Sequence, residues 1–322
     1  MTVRTPTASV VVRTFNSEPT LEACLESLIR QTIRPEIIVV DSGSSDGTLA
    51  IASLLADRLI QIPHESFSYG RALNCGADIA AAPVHFAVSS HCVVPRSDWI
   101  ERTLGHYERP DVAGANGQVT DPQGRPLRET LFLVADTPTP NPLWGFSNHA
   151  SSWRADVWRR ERFDETLIAS EDFEWSDRVL ALGFTIVFDP DLTVLAHHYR
   201  AQGVKALYRR SKRELLGTAA CRPVQPATLR GALAEWWSGP PRGPKRWRQR
   251  LSPYRLAIIS GRYTAGRRLQ RAAVVDPLTG LVLQLGRVTA PENHRSERRR
   301  PQGWRRFRST DDPLQQSRAG DA

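Results

Sequence analysis

The stretch Val39-Val40-Asp41-Ser42-Gly43-Ser44-Ser45-Asp46-Gly47-Thr48 closes a short apolar run, Glu36–Val40, and opens a helical one, Thr48–Ala56. An apolar run of this length that breaks into Asp, Gly and Ser reads as a buried strand entering a tight turn, with a helix behind it. Working outward, Ala8–Thr14 (ASVVVRT) repeats the strand pattern and breaks at Asn16-Ser17. Glu18–Gln31 then sets Leu21, Leu25, Leu28 and Ile29 on one helical face. Downstream, Leu59–Ile62 and Val84–Val88 read as strands and Gly70–Ala81 as a helix. Strands alternating with helices over short links predict an α/β fold with a mostly parallel sheet and flanking crossover helices.

Open parallel sheets bind ligands at the carboxyl ends of their strands, which selects Arg13-Thr14, Asp41-Ser42 and Ser89-Ser90-His91. After Trp99 the Gly/Pro-rich segment Gly114–Trp144 reads as loop, and Ser147–Trp153 as a polar connection. Arg154–Arg162 and Glu171–Leu182 read as helices, the second ended by Gly183, and Phe184–Phe188 as a strand. Beyond His198 the chain turns to basic amphipathic helices, Val204–Leu216 and Pro253–Val275, separated by Gly239–Pro244. From Pro291 onward it is Arg-rich and poor in aliphatics, the composition of a disordered tail. The expected organisation is a catalytic domain over 1–200, a basic helical extension over 201–290 and a tail over 291–322.

With 40% apolar and 24% charged residues among 322, the chain is globular rather than disordered throughout. Residues 1–200 hold 17 Lys and Arg against 26 Asp and Glu, whereas residues 201–322 hold 26 against 8. An acidic domain with a basic appendage points to a phosphate-bearing partner or an anionic membrane face for the appendage. No apolar run approaches the roughly 18 residues of a membrane span, and residues 1–20 lack a secretory pattern, so a cytoplasmic chain is expected. Cys24, Cys75, Cys92 and Cys221 form no CxxC pair, which predicts reduced thiols and no structural zinc.

VVDSGSSDGT, preceded by Thr14-Phe15-Asn16, resembles the nucleotide-sugar half of family 2 glycosyltransferases of the GT-A (Rossmann-like) fold; the same string also suits a tight turn with a helix cap. Four further segments match in the family's order: FSYGRALNCG (Phe67–Gly76), SNHASSWRADVW with RFDETL (Ser147–Leu167), SEDFEW (Ser170–Trp175) and FDPDLTVLAHH (Phe188–His198). The resemblance spans about residues 8–200. It implies an inverting transfer of a sugar from a nucleoside-diphosphate donor (dTDP-, UDP- or GDP-linked) to a hydroxyl acceptor in glycan, glycolipid or natural-product synthesis. It places Thr14, Asn16, Asp41, Ser42, Arg71 and His91 on the donor, Arg71 reaching the diphosphate. It maps the general base onto Asp172, while Glu171 and Trp144 are acceptor-side candidates; acids in a helix's first turn also suit its macrodipole.

The departure lies at Ser89-Ser90-His91, where the family carries Asp-x-Asp. Those acids hold a divalent cation on the diphosphate, and this chain offers hydroxyls and an imidazole instead. His91 with His197, preferred over His198, forms a weaker candidate metal set, for which Mn²⁺ suits imidazole better than Mg²⁺. The other outcome is no metal, the charge being met by Arg71 together with a neutral or protonated His91. The Ser-x-His variant is familiar among rhamnosyltransferase-like members and suggests a deoxysugar donor. Of the aromatic residues, Trp99 is expected to anchor a helix in the core, and Trp144, in its Pro/Gly-rich loop, to stack on a sugar.

A competing reading makes the domain a degenerate transferase that binds an anionic membrane or nucleic acid. The retained Asp41 and Asp172 oppose it, no nucleic-acid-binding signature appears, and a basic extension also suits an enzyme docked peripherally on the membrane that bears its acceptor. A nucleotidyltransferase would need a Gly-rich loop with Lys near the first strand, which this chain lacks.

Overall fold

Strand β1, Ala8–Thr14, lies at the centre of the sheet because Val10, Val11 and Val12 are wholly buried, on both faces. A computed structural model of the chain describes residues 6–196, 203–224, 228–238, 252–272, 274–275 and 282–283. Helix α1 (Glu18–Ile29), with proline in its first turn, leads to β2 (Glu36–Asp41), which pairs parallel with β1 so that Thr14 lies beside Asp41. Helix α2 (Thr48–Leu55), β3 (Arg58–Gln61), α3 (Tyr69–Ile79) and β4 (Val84–Ser89) continue the alternation. Strand β4 pairs with the other side of β1, Arg13 beside Ser89. Thr14, Asp41 and Ser89 therefore end three parallel strands at one edge, as the pattern predicted.

The remaining elements are β5 (Cys92–Val93), α4 (Trp99–His106), β6 (Val112–Gly117), β7 (Leu131–Leu133), β8 (Ala150–Arg154), α5 (Ala155–Arg160), α6 (Glu171–Ala181), β9 (Thr185–Asp189) and β10 (Leu195–Ala196). The main sheet runs β3-β2-β1-β4-β8-β6-β9-β7, with β8 antiparallel to both β4 and β6. The segments expected to be loop and polar connection thus hold three strands. Strand β8 escaped the pattern because Ser151 and Ser152 are buried, their hydroxyls bonded to Asn148 Oδ1 (2.8 Å) and the Tyr107 hydroxyl (2.8 Å). In β6, a side chain at Gly114 would meet the Phe146 ring and Ile186 at 3.1 Å, so its glycine marks close packing rather than a turn. Trp99 is buried and donates its indole N–H to the Leu192 carbonyl (2.9 Å), the anchor its context suggested.

Helix α7 (Gly203–Cys221) is longer than its apolar pattern, and α9 (Pro253–Ala272) stops short of the extended pair Val274–Val275; α8 (Leu229–Ser238) lies between them in sequence. Helices α7 and α9 approach closely at Gly261, where a Cβ would sit 2.5 Å from the Tyr208 carbonyl oxygen. His197, His198, Gly239–Pro244 and the tail from Pro291 lie outside the described residues.

Helix α3 presses onto β1 through Gly76, where an added Cβ would meet Val11 Cγ1 at 2.4 Å. Gly76→Ala is therefore expected to lower stability by about 1–3 kcal/mol, the usual cost of overpacking, despite alanine's better helix propensity. A urea midpoint at or above that of the wild type would contradict this packing.

Candidate active site

At the carboxyl edge of the sheet, the end of β1 meets the start of α6, 158 residues later. The Arg13 guanidinium, largely buried, lies 3.3 Å from Glu171 Oε1 and donates to the Asn148 carbonyl (2.7 Å). The Asn148 amide in turn donates to Asp172 Oδ2 (3.1 Å), and Asp172 Oδ1 accepts from the Phe173 amide (2.9 Å). Ser170, which precedes the helix, adopts a left-handed backbone (φ 68°) and its hydroxyl meets that of Thr218 on α7 (3.1 Å). Positive φ at a non-glycine costs energy, and here it aims the first turn of α6 across the sheet edge.

Burial pushes the Asp172 carboxyl up to about 7, helped by the neighbouring Glu171 charge and opposed by the two amide donors and Arg13. The amide-rich helix start favours an anion, yet desolvation and a like charge win. A half-buried carboxyl poised near neutrality is the chemistry of a general base. Glu171, by contrast, is buried against Arg13 and is not open to an acceptor.

The donor-side candidates divide. Asn16, also left-handed (φ 47°), spans to the turn after β2: its amide donates to Ser44 Oγ (2.8 Å) and its Oδ1 accepts from Ser45 N (2.9 Å). Asp41 is fully buried with both carboxylate oxygens 3.0 Å from the Ser44 amide, so in this structure it caps the turn. Ser42 Oγ donates to the Thr14 carbonyl (3.1 Å). Thr14 is buried, its hydroxyl without a hydrogen-bond partner among the described residues. Arg71 lies in the first turn of α3, its amide on Ser68 Oγ (3.1 Å) and its guanidinium beside the Cys75 thiol one turn on.

Trp144 is a core residue rather than an open stacking platform. It is 6% exposed, its ring packs on Phe188 (centroids 4.5 Å apart) and its N–H is taken by the Thr120 carbonyl (2.9 Å). Arg222 fixes that loop from the end of α7, donating to the Trp144 carbonyl (2.8 Å) while paired with Asp177 (2.6 Å).

His91 is half-buried near the strand end, and the Ser90 hydroxyl is shared with that of Ser17 (2.7 Å). Among the described residues no group of three His, Cys, Asp or Glu side chains converges as metal ligands. Two hydroxyls and an imidazole supply none of the carboxylate oxygens a hard cation prefers, so the described donor set does not fit the divalent ion of an Asp-x-Asp site. The partner histidine at position 197 is outside the described residues.

Several site residues were not singled out as donors or catalysts in the sequence. Arg13 was visible only as a strand-end residue, and Asn148 as part of a matched segment. Phe15, 46% exposed, stacks on His64 (4.6 Å between centroids) beside the Gly43 turn. His149, whose carbonyl accepts from the Ser89 amide (2.9 Å), is pushed down to about 4 by burial and by the positive charges of Arg210 and Arg13.

Residues 9–161 match the profile described as glycosyl transferase family 2. Among curated proteins, the chain is 26% identical over 208 residues to glycosyltransferase AglE of Haloferax volcanii, covering 60% of this chain and 67% of that one. It is 32% identical over 115 residues to a PGL/p-HBAD biosynthesis glycosyltransferase of Mycobacterium tuberculosis, covering 33% of this chain and less than half, 45%, of that one. It is 24% identical over 207 residues to the O-antigen chain rhamnosyltransferase RfbN of Salmonella typhimurium, covering 59% and 66%. In three dimensions it superimposes on the mannosyltransferase PcManGT of Pyrobaculum calidifontis, solved with GDP-Man and Mn²⁺, with a TM-score of 0.52 at 17% identity over 84% of this chain and 76% of that one. That likeness carries the fold alone. Residues 9–161 thus match glycosyl transferase family 2, and the relatives together with the fold support a family 2 glycosyltransferase of the GT-A kind.

Proposed function

We propose that the protein transfers a sugar from a nucleoside-diphosphate donor to a hydroxyl acceptor with inversion, Asp172 acting as the general base. The observation that carries this reading is a half-buried carboxyl held near neutrality beside a cationic strand end. The acceptor O–H gives its proton to Asp172, the acceptor oxygen forms its bond to the anomeric carbon, and the bond to the leaving diphosphate breaks on the opposite face, taking the electron pair with it. One carboxylate suffices for this single displacement. Phe15 on His64 offers an aromatic platform beside the Asn16–Ser44 turn for the nucleoside base. The relative named as an O-antigen chain rhamnosyltransferase supports a deoxyhexose donor and a glycan-borne hydroxyl.

Because the base must be ionised, kcat/KM for transfer should rise about tenfold per pH unit below pH 7 and level off above it. A profile flat from pH 5 to 8 would remove Asp172 from this role.

We further place the enzyme on an anionic membrane surface. No helix among the described residues is long and apolar enough to cross a membrane. Helix α8 instead exposes Leu229 (62%), Leu233 (54%) and Trp237 (56%) at four-residue spacing, an apolar stripe in the cationic part of the chain. Cosedimentation with vesicles containing anionic phospholipid should weaken with salt and fall severalfold in Leu233→Ser/Trp237→Ser. Equal recovery on neutral vesicles would reject the placement.

A further inference from the structure

The Ser-x-His strand end lacks the acids that would hold a cation on the donor diphosphate, yet the same place is crowded with fixed positive charge. Arg13 is opposite Ser89 in the sheet register, and the Ser89 amide donates to the His149 carbonyl (2.9 Å). Helix α7 runs past this point. It is docked at Gly217, where a Cβ would come within 2.5 Å of the Ala169 carbonyl oxygen, and at Thr218, bonded to Ser170. From that anchor, Arg213 and Arg210 lie one and two turns back on the same helical face.

Arg213 donates to the Tyr69 hydroxyl (2.6 Å), and its guanidinium carbon sits 5.2 Å from the centre of that ring. The guanidinium carbon of Arg13 sits 5.3 Å from the centre of the same ring. Two cations thus share one tyrosine. Among the described residues Arg13 is paired with Glu171 and Arg210 with Glu214, but no carboxylate pairs with the exposed Arg213. Like charges brought together without matching acids repel, and an anion relieves that repulsion. Beside them, Arg13 Nε and Nδ2 of Asn148, whose carbonyl Arg13 bonds, are buried without hydrogen-bond partners among the described residues. Buried donors with unmet capacity are expensive to leave so, and they call for an acceptor-rich ligand. The charge of Arg210 and Arg13 is felt as far as His149 and Cys92, which places the positive field at the strand end itself.

We infer that this enzyme holds the leaving diphosphate with guanidinium groups, Arg13 and Arg213 against Tyr69 with Arg210 behind them, where the family uses a divalent cation. The inference rests on the transferase reading above and adds to it which groups carry the leaving-group charge. A guanidinium presents paired donors to phosphate oxygens and is never deprotonated, so it stabilises the departing charge without metal binding.

The test is calorimetric titration of the full chain, stripped of metal and kept in EDTA, with UDP, GDP, dTDP and inorganic pyrophosphate. At least one nucleoside diphosphate should bind in EDTA, and pyrophosphate should compete with it. Arg213→Gln, at an exposed position where folding is not at risk, should weaken both about tenfold or more. Arg209→Gln, on the solvent side of α7, should leave both unchanged. Binding that appears only with Mn²⁺ or Mg²⁺ and is indifferent to Arg213→Gln overturns the inference while leaving the transferase reading intact. Equal losses in Arg209→Gln and Arg213→Gln also overturn it, since a diffuse field would then suffice. No binding of any nucleoside diphosphate, with or without metal, brings down the transferase reading and this inference together.

Discussion

Asp172→Asn is expected to lower turnover by roughly 10²–10⁴-fold, the usual loss on removing a general base, while nucleoside diphosphate affinity stays within a few-fold of wild type. The substitution is nearly isosteric, and its amide oxygen can still accept from Asn148 N or Phe173 N, the two donors that hold the carboxylate now. Folding gives an independent check. Burial and Glu171 raise the Asp172 carboxyl from the usual carboxylate range to about 7, so ionising it opposes folding, progressively from about pH 4 upward and fully above pH 7. Replacing it with a neutral group should leave the thermal midpoint at pH 8 equal to or above that of the wild type. Activity and stability then move in opposite directions. Near-normal turnover, or a loss of activity that merely tracks a loss of folding, would remove Asp172 from the mechanism.

Arg13→Met is expected to be the most damaging change to the fold near the site, at about 3–5 kcal/mol, because it leaves the buried Glu171 without its partner. The ion pair is largely removed from water on both sides, with 12% and 5% of the two side chains exposed, so solvent does little to replace the lost charge. The sign with pH follows from the acids left behind. Asp172 already has a raised carboxyl, and Arg13 is one of the groups holding it down, so the variant's pH–rate profile should shift above 7 and its instability should be worse at pH 8 than at pH 5. Arg13→Met/Glu171→Leu should recover much of the stability, since removing both charges eliminates the unpaired acid. Urea denaturation at the two pH values measures this. A single-variant loss under about 1 kcal/mol with an unmoved profile would show that the pair is incidental.

The first half of the sheet was legible because its central strands carry long apolar runs and its turns are marked by Gly, Ser and Asp. The second half was not: β8 hides two buried serines whose hydroxyls are satisfied inside the protein, and β6 uses glycine for close packing. For the site, Asp172 stood out from its place in an ordered motif, but its carboxyl is raised by burial and by Glu171 against the pull of Asn148 and Arg13, a balance set only when the fold brings these groups together. Trp144 misled because a tryptophan in a Pro/Gly-rich segment looks exposed, whereas Arg222, from another helix, folds that loop into the core. The cations on α7 could not be assigned to the site from sequence, since nothing local in a basic helix reveals that Arg213 reaches Tyr69, 144 residues away.

The measurement that bears most directly on the central claim is nucleoside diphosphate release by the full chain from a panel of UDP-, GDP- and dTDP-linked hexoses and deoxyhexoses, wild type beside Asp172→Asn. Release above the uncatalysed rate from at least one donor, lost in the variant while that donor still binds, is the predicted result. A folded wild-type protein that neither binds nor turns over any donor in the panel would contradict it.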